Sequence, residues 1–345
     1  MKMNNPINVS GKSIAIAIII MTGIYAAQSI LNPLLMALFI TIILMQPLSW
    51  LRKKLSSGWA ISLVIVGFLG LYLGFIGLLN KSVMLFIDQA SNYEENLSAI
   101  VATTNEILEQ YGINLLVLGE SSMNPSKIMS YASSLMGGLG DLMSNEFTFL
   151  LFTIFLISEI PESTVKLDYL VQGDQKSKDF LSGIGVKIRH YLSIKTVTSL
   201  ATGILIAIAL AVLGVDFPIL WGFLAFLLNY IPTIGSILAA LPAVALALVQ
   251  LGFQGALVTG IIYLVVNMLI GNVVEPKMMG KGLGLSTFIV FLSLIFWAFL
   301  LGAVGMFLSI PLTMVIKIIL EQNPSTKWMA VILGTEDDVK AIKIE

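Results

Sequence analysis

The chain has 345 residues, of which 57% are hydrophobic and 11% charged, with a formal net charge of −1, no cysteine and a single histidine. An ordinary soluble domain carries about 45–50% apolar and about 25% charged residues, so a water-exposed fold of this size could not hide so much apolar surface. The same inventory leaves no disulfide, thiolate nucleophile, cysteine or histidine metal cluster, or extended basic face for nucleic acid, and no cofactor is expected.

A helical crossing of a bilayer takes about 20 apolar residues, or about 17 at the short end. Apolar segments of roughly this kind fall near Ile14–Leu31, Leu34–Leu48, Ala60–Leu79, Phe147–Ile160, Thr196–Leu213, Phe217–Tyr230, Gly235–Val249, Ala256–Ile270, Ser286–Leu301 and Val304–Leu320. The first run passes into the second with no small-residue cleavage site, so it reads as a retained span. Several segments are short, and Pro232 removes a helical hydrogen bond between two of them, so that pair reads as two crossings or as one broken, partly re-entrant element. The fold class is an all-α integral membrane protein: a polytopic helical bundle of about eight to ten hydrophobic segments with broken or re-entrant helices.

The Lys/Arg bias of short loops sets orientation. Lys2 and Lys12 precede the first span, Arg52, Lys53 and Lys54 follow the second, and Lys166, Lys176, Lys178, Lys187 and Arg189 lie between the fourth and fifth. Placing all three groups inside puts both termini in the cytoplasm. Lys187, Arg189, His190 and Lys195 then read as an interfacial cluster near lipid phosphates, and Lys317 as a side chain that snorkels to the same interface.

The stretch from Lys81 to Glu146 is acidic and lies outside by this alternation. Within it Phe86, Ala90, Tyr93, Leu97, Ile100, Thr104, Leu108 and Tyr111 follow a four-three spacing that lines one helical face. That face packs on its own protomer, lies on the membrane or forms a self-association seam. Gly112 to Ser144 reads as a loop, either alone or with a second short helix within it. The organisation is therefore N-terminal spans (1–80), an acidic extracytoplasmic segment (81–146), a fourth span with a basic loop (147–195), a C-terminal transport region (196–320) and a cytoplasmic tail (321–345).

A shift of seventy positions aligns Leu213-Gly214 with Leu283-Gly284, Ile219 with Ile289, Leu224 with Leu294, Phe226 with Phe296, Gly235 with Gly305 and Leu238 with Leu308. By the predicted topology one copy starts outside and the other inside, the pattern of an inverted repeat, and such repeats hold substrate at broken helices. The breaks nominated are Asn229 to Gly235, which includes Pro232, and Gly302 to Gly305. Asn267, Gly271 and Glu275 stand four apart on one helical face, with Asn272 three before Glu275. This stripe either lines a pathway or ends a helix, since Pro276 disfavours helix at the residue before it. For Asn267 and Asn272 the structural reading is an interhelical hydrogen bond. Gly280-Lys281-Gly282-Leu283-Gly284 lacks the order of a phosphate loop and reads as a turn.

Glu275-Pro276-Lys277-Met278-Met279-Gly280-Lys281-Gly282-Leu283-Gly284-Leu285-Ser286-Thr287, Phe291 to Trp297, Leu301-Gly302-Ala303-Val304-Gly305-Met306 and Ser309-Ile310-Pro311-Leu312-Thr313 resemble the autoinducer-2 exporter family, also called the PerM-like permeases. Asn229 to Gly235 followed by Leu241-Pro242-Ala243 is similar to that family's other signature. The resemblance is strongest over about the C-terminal 40% of the chain. It implies a multi-pass inner-membrane transporter of a small molecule, autoinducer-2 in the branch nearest these residues and sodium or lithium exchanged for protons in others. Homo-oligomers, pentamers among them, are also implied, with membrane lipid as the other partner.

Three functions remain open at this point: efflux of a small neutral polar molecule by alternating access, cation/proton antiport, and a non-transporting scaffold or sensor. Antiport needs a membrane-embedded carboxylate, and only Glu275 and Asp216 are near spans. The expected pathway residues are Asn229, Pro232, Gly235, Asn267, Asn272, Glu275, Pro276 and Gly305. No carboxylate pair, histidine cluster or activated serine suggests an enzyme.

Overall fold

The structure is a computed structural model that describes residues 11–110, 147–171, 174–279 and 284–335. Among these residues all regular structure is helical, as the composition predicts. The elements are α1 (Gly11–Ala26), α2 (Gln28–Leu51), α3 (Ser57–Glu109), α4 (Phe147–Leu170), α5 (Gln175–Leu213), α6 (Pro218–Leu228), α7 (Ile234–Leu269), a π-helical segment (Ile270–Val274), α8 (Glu275–Met279), α9 (Thr287–Gln322) and α10 (Lys327–Leu333). The expected loop from Gly112 to Ser144, Tyr111, Lys2 and the turn at Gly280 to Gly282 lie outside the described residues.

Among the described residues five helical stretches are long and apolar enough to cross a membrane: Gln28–Leu51, Ser57–Glu106, Lys178–Leu213, Ile234–Met279 and Thr287–Gln322. Leu71, Val212, Phe253 and Phe299 are each more than two-thirds exposed. Water would penalise that exposure, whereas lipid accepts it.

The chain divides into two compact units. One comprises Met1–Ile42, Thr148–Ile188 and Leu283–Glu345, and the other Ile43–Phe147 and Arg189–Gly282. In the first unit, Trp297, Leu300 and Leu301 of α9 are covered by Met21, Ile24, Leu31 and Leu35 from α1 and α2. Lys317 does not snorkel to an interface: it is buried, and its ammonium donates to the carbonyl of Gly284, with Glu321 3.5 Å away. A carbonyl freed by the left-handed turn at Gly284 offers the charge a partner within the fold.

In the second unit α3 is one helix of 53 residues, about 80 Å at 1.5 Å per residue, and it carries the chain through residues 80 and 81 without a break. Its buried positions, Leu79, Ser82, Phe86, Tyr93 and Leu97, keep the predicted four-three spacing. Phe86 and Tyr93 pack with Val215, Trp221 and Ala239 of the same unit, while Thr104 is exposed. This supports packing on its own protomer for that part of the face.

Two long helices are each a pair. Gly252 in α7 (φ 71°, ψ −168°) and Gly302 in α9 (φ 62°, ψ −142°) interrupt the helical backbone in a region closed to side chains. At Gly302 the chain doubles back: the Trp297 indole nitrogen donates to the Thr313 hydroxyl at 3.0 Å, which requires antiparallel legs on either side of the turn. Substituting alanine at Gly302 or Gly252 is expected to cost about 1–3 kcal/mol, read as a lower melting temperature in detergent without loss of helical signal.

The seventy-residue shift now has a structural counterpart. It places Pro232, in the turn between α6 and α7, on Gly302, the turn inside α9. Each copy is a shorter leg followed by a longer one. The glycine three residues past each turn presses on the preceding leg, Gly235 on the Leu228 carbonyl and Gly305 on that of Trp297. With 11 residues, α6 rises about 16 Å, roughly half of an apolar layer about 30 Å thick. Alone it is too short to cross, which favours the re-entrant alternative for the pair around Pro232.

Candidate functional site

One set of buried polar side chains in the second unit lies on one face of α5. Tyr191, Lys195, Thr198, Ser199 and Thr202 are all buried, and their three- and four-residue spacing keeps them on one side of the helix. Between a polar first half and an apolar stretch from Ile204 to Leu213, the helix thus turns a polar stripe inward. Gly203 permits close approach by α6, because a Cβ there would sit 2.6 Å from the Gly222 carbonyl oxygen. Small residues at such a crossing let neighbouring polar groups reach across helices.

Two groups of contacts result. The Lys195 ammonium meets both carboxylate oxygens of Glu275, at 2.8 and 2.9 Å, with the side chains only 8% and 15% exposed. The Thr198 hydroxyl lies 3.4 Å from the same carboxylate. Four residues along α5 from Lys195, the Asn229 amide donates to the Ser199 hydroxyl at 2.9 Å, and the Tyr230 phenol donates to the Thr196 hydroxyl at 2.8 Å. Asn229 and Tyr230 end α6 and open the turn to α7, so the break and the carboxylate are joined to one helix.

The turn itself is strained. Thr233 has φ 62° and ψ −51°, and the Ile234 amide donates to the Pro232 carbonyl at 2.6 Å, the geometry of a γ-turn that is rare for any residue and costly for a β-branched one. Such strain persists only where surrounding packing imposes it. Packing beside the turn is tight: a Cβ on Gly235, two residues on, would fall 1.8 Å from the Leu228 carbonyl oxygen.

Glu275 reaches Lys195 through the π-helical segment. Its amide donates to the Ile270 carbonyl, five residues back. Pro276 explains the widening: it has no N–H for the carbonyl four residues earlier, that of Asn272, so the α ladder cannot run through this point. The straight stripe expected for Asn267, Gly271 and Glu275 is therefore broken. Asn267 is half-buried, Gly271, Asn272 and Pro276 are exposed, and Glu275 turns in. Gly305 lies in the other unit, buried in its own hairpin.

Lys195, like Lys317, is placed by the structure away from the interface expected from sequence. Its neighbours Arg189 and His190 are exposed, as an interfacial cluster would be, but Lys195 leaves that cluster for a carboxylate eighty positions away. Asp216, the other carboxylate near a span, accepts from the Tyr93 phenol at 2.7 Å, and its loop is tied to Gln250 and Trp221. Among the described residues no group of three or more acidic, histidine or cysteine side chains could hold a metal ion.

Comparison with known proteins gives a consistent answer. Residues 14–325 match the model of the AI-2E family transporter. The AI-2 transport protein TqsA of Escherichia coli (strain K12) is 38% identical over 323 residues, covering 92% of this chain and 93% of that protein. YhhT from the same strain is 35% identical over 325 residues, 93% of each chain. A protein of Haemophilus influenzae is 37% identical over 348 residues, 98% of this chain and all of its own.

Proposed function

The chain belongs to the AI-2E transporter family, a family of membrane transport proteins and not of enzymes, and from that membership we propose that it exports autoinducer-2 across the bacterial inner membrane. The observation that carries the choice of cargo is the match to TqsA along nearly the whole of both chains. The proposed arrangement has both termini cytoplasmic and the protein assembled as a homo-oligomer in lipid.

The proposed pathway runs through the second unit along the inward face of α5. The α6–α7 hairpin is its moving part: release of Asn229 from Ser199 and of Tyr230 from Thr196 frees amide and hydroxyl groups suited to a neutral, oxygen-rich molecule. Pro232 and Gly235 hold the strained turn that makes two arrangements of the hairpin accessible. Glu275 and Lys195 neutralise each other in the resting arrangement, so the path carries no net charge beside α5. Asn267, Asn272 and Pro276 set the course of the helix that delivers Glu275, and Gly305 performs the role of Gly235 in the second copy of the hairpin. Cation/proton antiport has less support, because both candidate carboxylates are already engaged, Glu275 by Lys195 and Asp216 by Tyr93.

Partition of autoinducer-2 between cells and medium tests the proposal in a strain lacking its own exporter. Cells carrying this chain should hold less signal than cells with empty vector, and Asn229→Ala at equal membrane expression should restore much of the difference. Equal partition with and without the chain would refute the assignment of this cargo.

A further inference from the structure

Two hydroxyls in the second unit stand apart from the contacts described so far. Thr259 and Tyr263 lie one turn apart on the second leg of α7, are 0% and 2% exposed, and have no hydrogen-bond partner for Oγ1 or for the phenol oxygen among the described residues. A buried hydroxyl is ordinarily satisfied, and one left unpaired bears the full loss of its hydration. A helical threonine can donate to the carbonyl one turn back at little cost, as Thr153, Thr196 and Thr202 do here. Thr259 does not. Two such exceptions on one face indicate groups kept for a partner outside the chain.

Several of the side chains grouped with Tyr263 are small. Tyr263 shares its core with Ala239, Ala243 and Ala247, which present only methyl groups at successive turns of the first leg of α7. Ala256, buried one turn before Thr259, adds another small side chain on the second leg. Replacing Tyr263 by phenylalanine would fill the same space and remove the unpaired group, so packing alone does not account for tyrosine.

We propose that Thr259 and Tyr263 form a two-hydroxyl subsite for a small, neutral molecule bearing several oxygen functions, bound during its passage through the second unit. The Tyr263 phenol donates to a carbonyl or hydroxyl oxygen, and the Thr259 hydroxyl donates or accepts according to how it rotates. Neutral cargo follows from the absence of a counter-charge on either residue, Lys195 and Glu275 being matched to each other. The subsite deepens the export reading above and rests on it only for the identity of the cargo.

The test uses the full-length protein reconstituted in liposomes, comparing wild type with Tyr263→Phe, Thr259→Val and the double variant. Autoinducer-2 efflux should show a half-saturating concentration about tenfold higher in each single variant, the equivalent of ~1.4 kcal/mol. Melting temperature should stay level or rise, since an unsatisfied buried group has been removed. A fall in melting temperature with unchanged half-saturation would mean that the hydroxyls serve the fold, and would overturn the subsite. If wild type moves no autoinducer-2, melting shifts with ribose, xylitol and glycerol decide separately: stabilisation of wild type but not of the double variant upholds the subsite while the cargo assignment fails. Equal response of both proteins to every compound overturns it.

Discussion

Glu275→Ala is expected to cost the fold about 3–5 kcal/mol and to abolish the proposed export, because it strands the buried Lys195 ammonium without the carboxylate that offsets its burial. Lys195→Ala should do similar damage from the other side. Replacing both partners by methionine separates stability from transport. A buried pair exchanged for apolar groups of similar volume is often neutral or stabilising, so the double variant should melt near wild type. If the pair only held helices together, that stable protein would still export. The proposed pathway requires a polar face on α5 beside Glu275, and predicts a folded double variant with little flux. Melting in detergent and efflux from vesicles, measured on one preparation, give both quantities.

The second large effect concerns two glycines. Alanine at Gly235 would place a Cβ 1.8 Å from the Leu228 carbonyl oxygen, and at Gly305 one 1.9 Å from that of Trp297. Both obstacles are backbone, which cannot turn aside as a flexible side chain would, so each hairpin must open. Each substitution should cost about 3 kcal/mol or more, the upper end of the usual range for overpacking. Gly67→Ala in α3 is the matching control: nothing lies within 4 Å of its Cβ position, and helix propensity predicts no loss and up to about 1 kcal/mol of gain. Comparable losses at Gly235 and Gly305 would also support the equivalence of the two hairpins, since the same contact is made at corresponding places in both copies.

Much of the fold was legible because its causes are local. Apolar run length located the long helices, and the spacing of Phe86 to Leu97 marked the buried face of α3. The seventy-residue shift found the repeated hairpins from a few matched residues before their turns were visible. The site was only half legible. Asn229, Pro232 and Gly235 announced a break by their chemistry, and Glu275 stood out as a carboxylate beside a span. Lys195 sits among basic residues that do face outward, and its partner is eighty positions away, so neither charge pattern nor spacing distinguished it. The π-helical segment had a signal that was available: Pro276 withholds the hydrogen bond an α-helix needs from Asn272, and this consequence extends beyond the residue immediately before the proline. Thr259 and Tyr263 had no such signal, because an unpaired hydroxyl is recognised only once its surroundings are known.

Efflux of autoinducer-2 from liposomes tests export along the face of α5 most directly. Vesicles loaded with autoinducer-2 and containing purified wild-type protein should empty faster than protein-free vesicles, and those containing the stable Lys195→Met/Glu275→Met double variant should leak at the protein-free rate. Equal rates for wild-type and protein-free vesicles would contradict the assigned cargo, and a double variant as fast as wild type would contradict the assigned path.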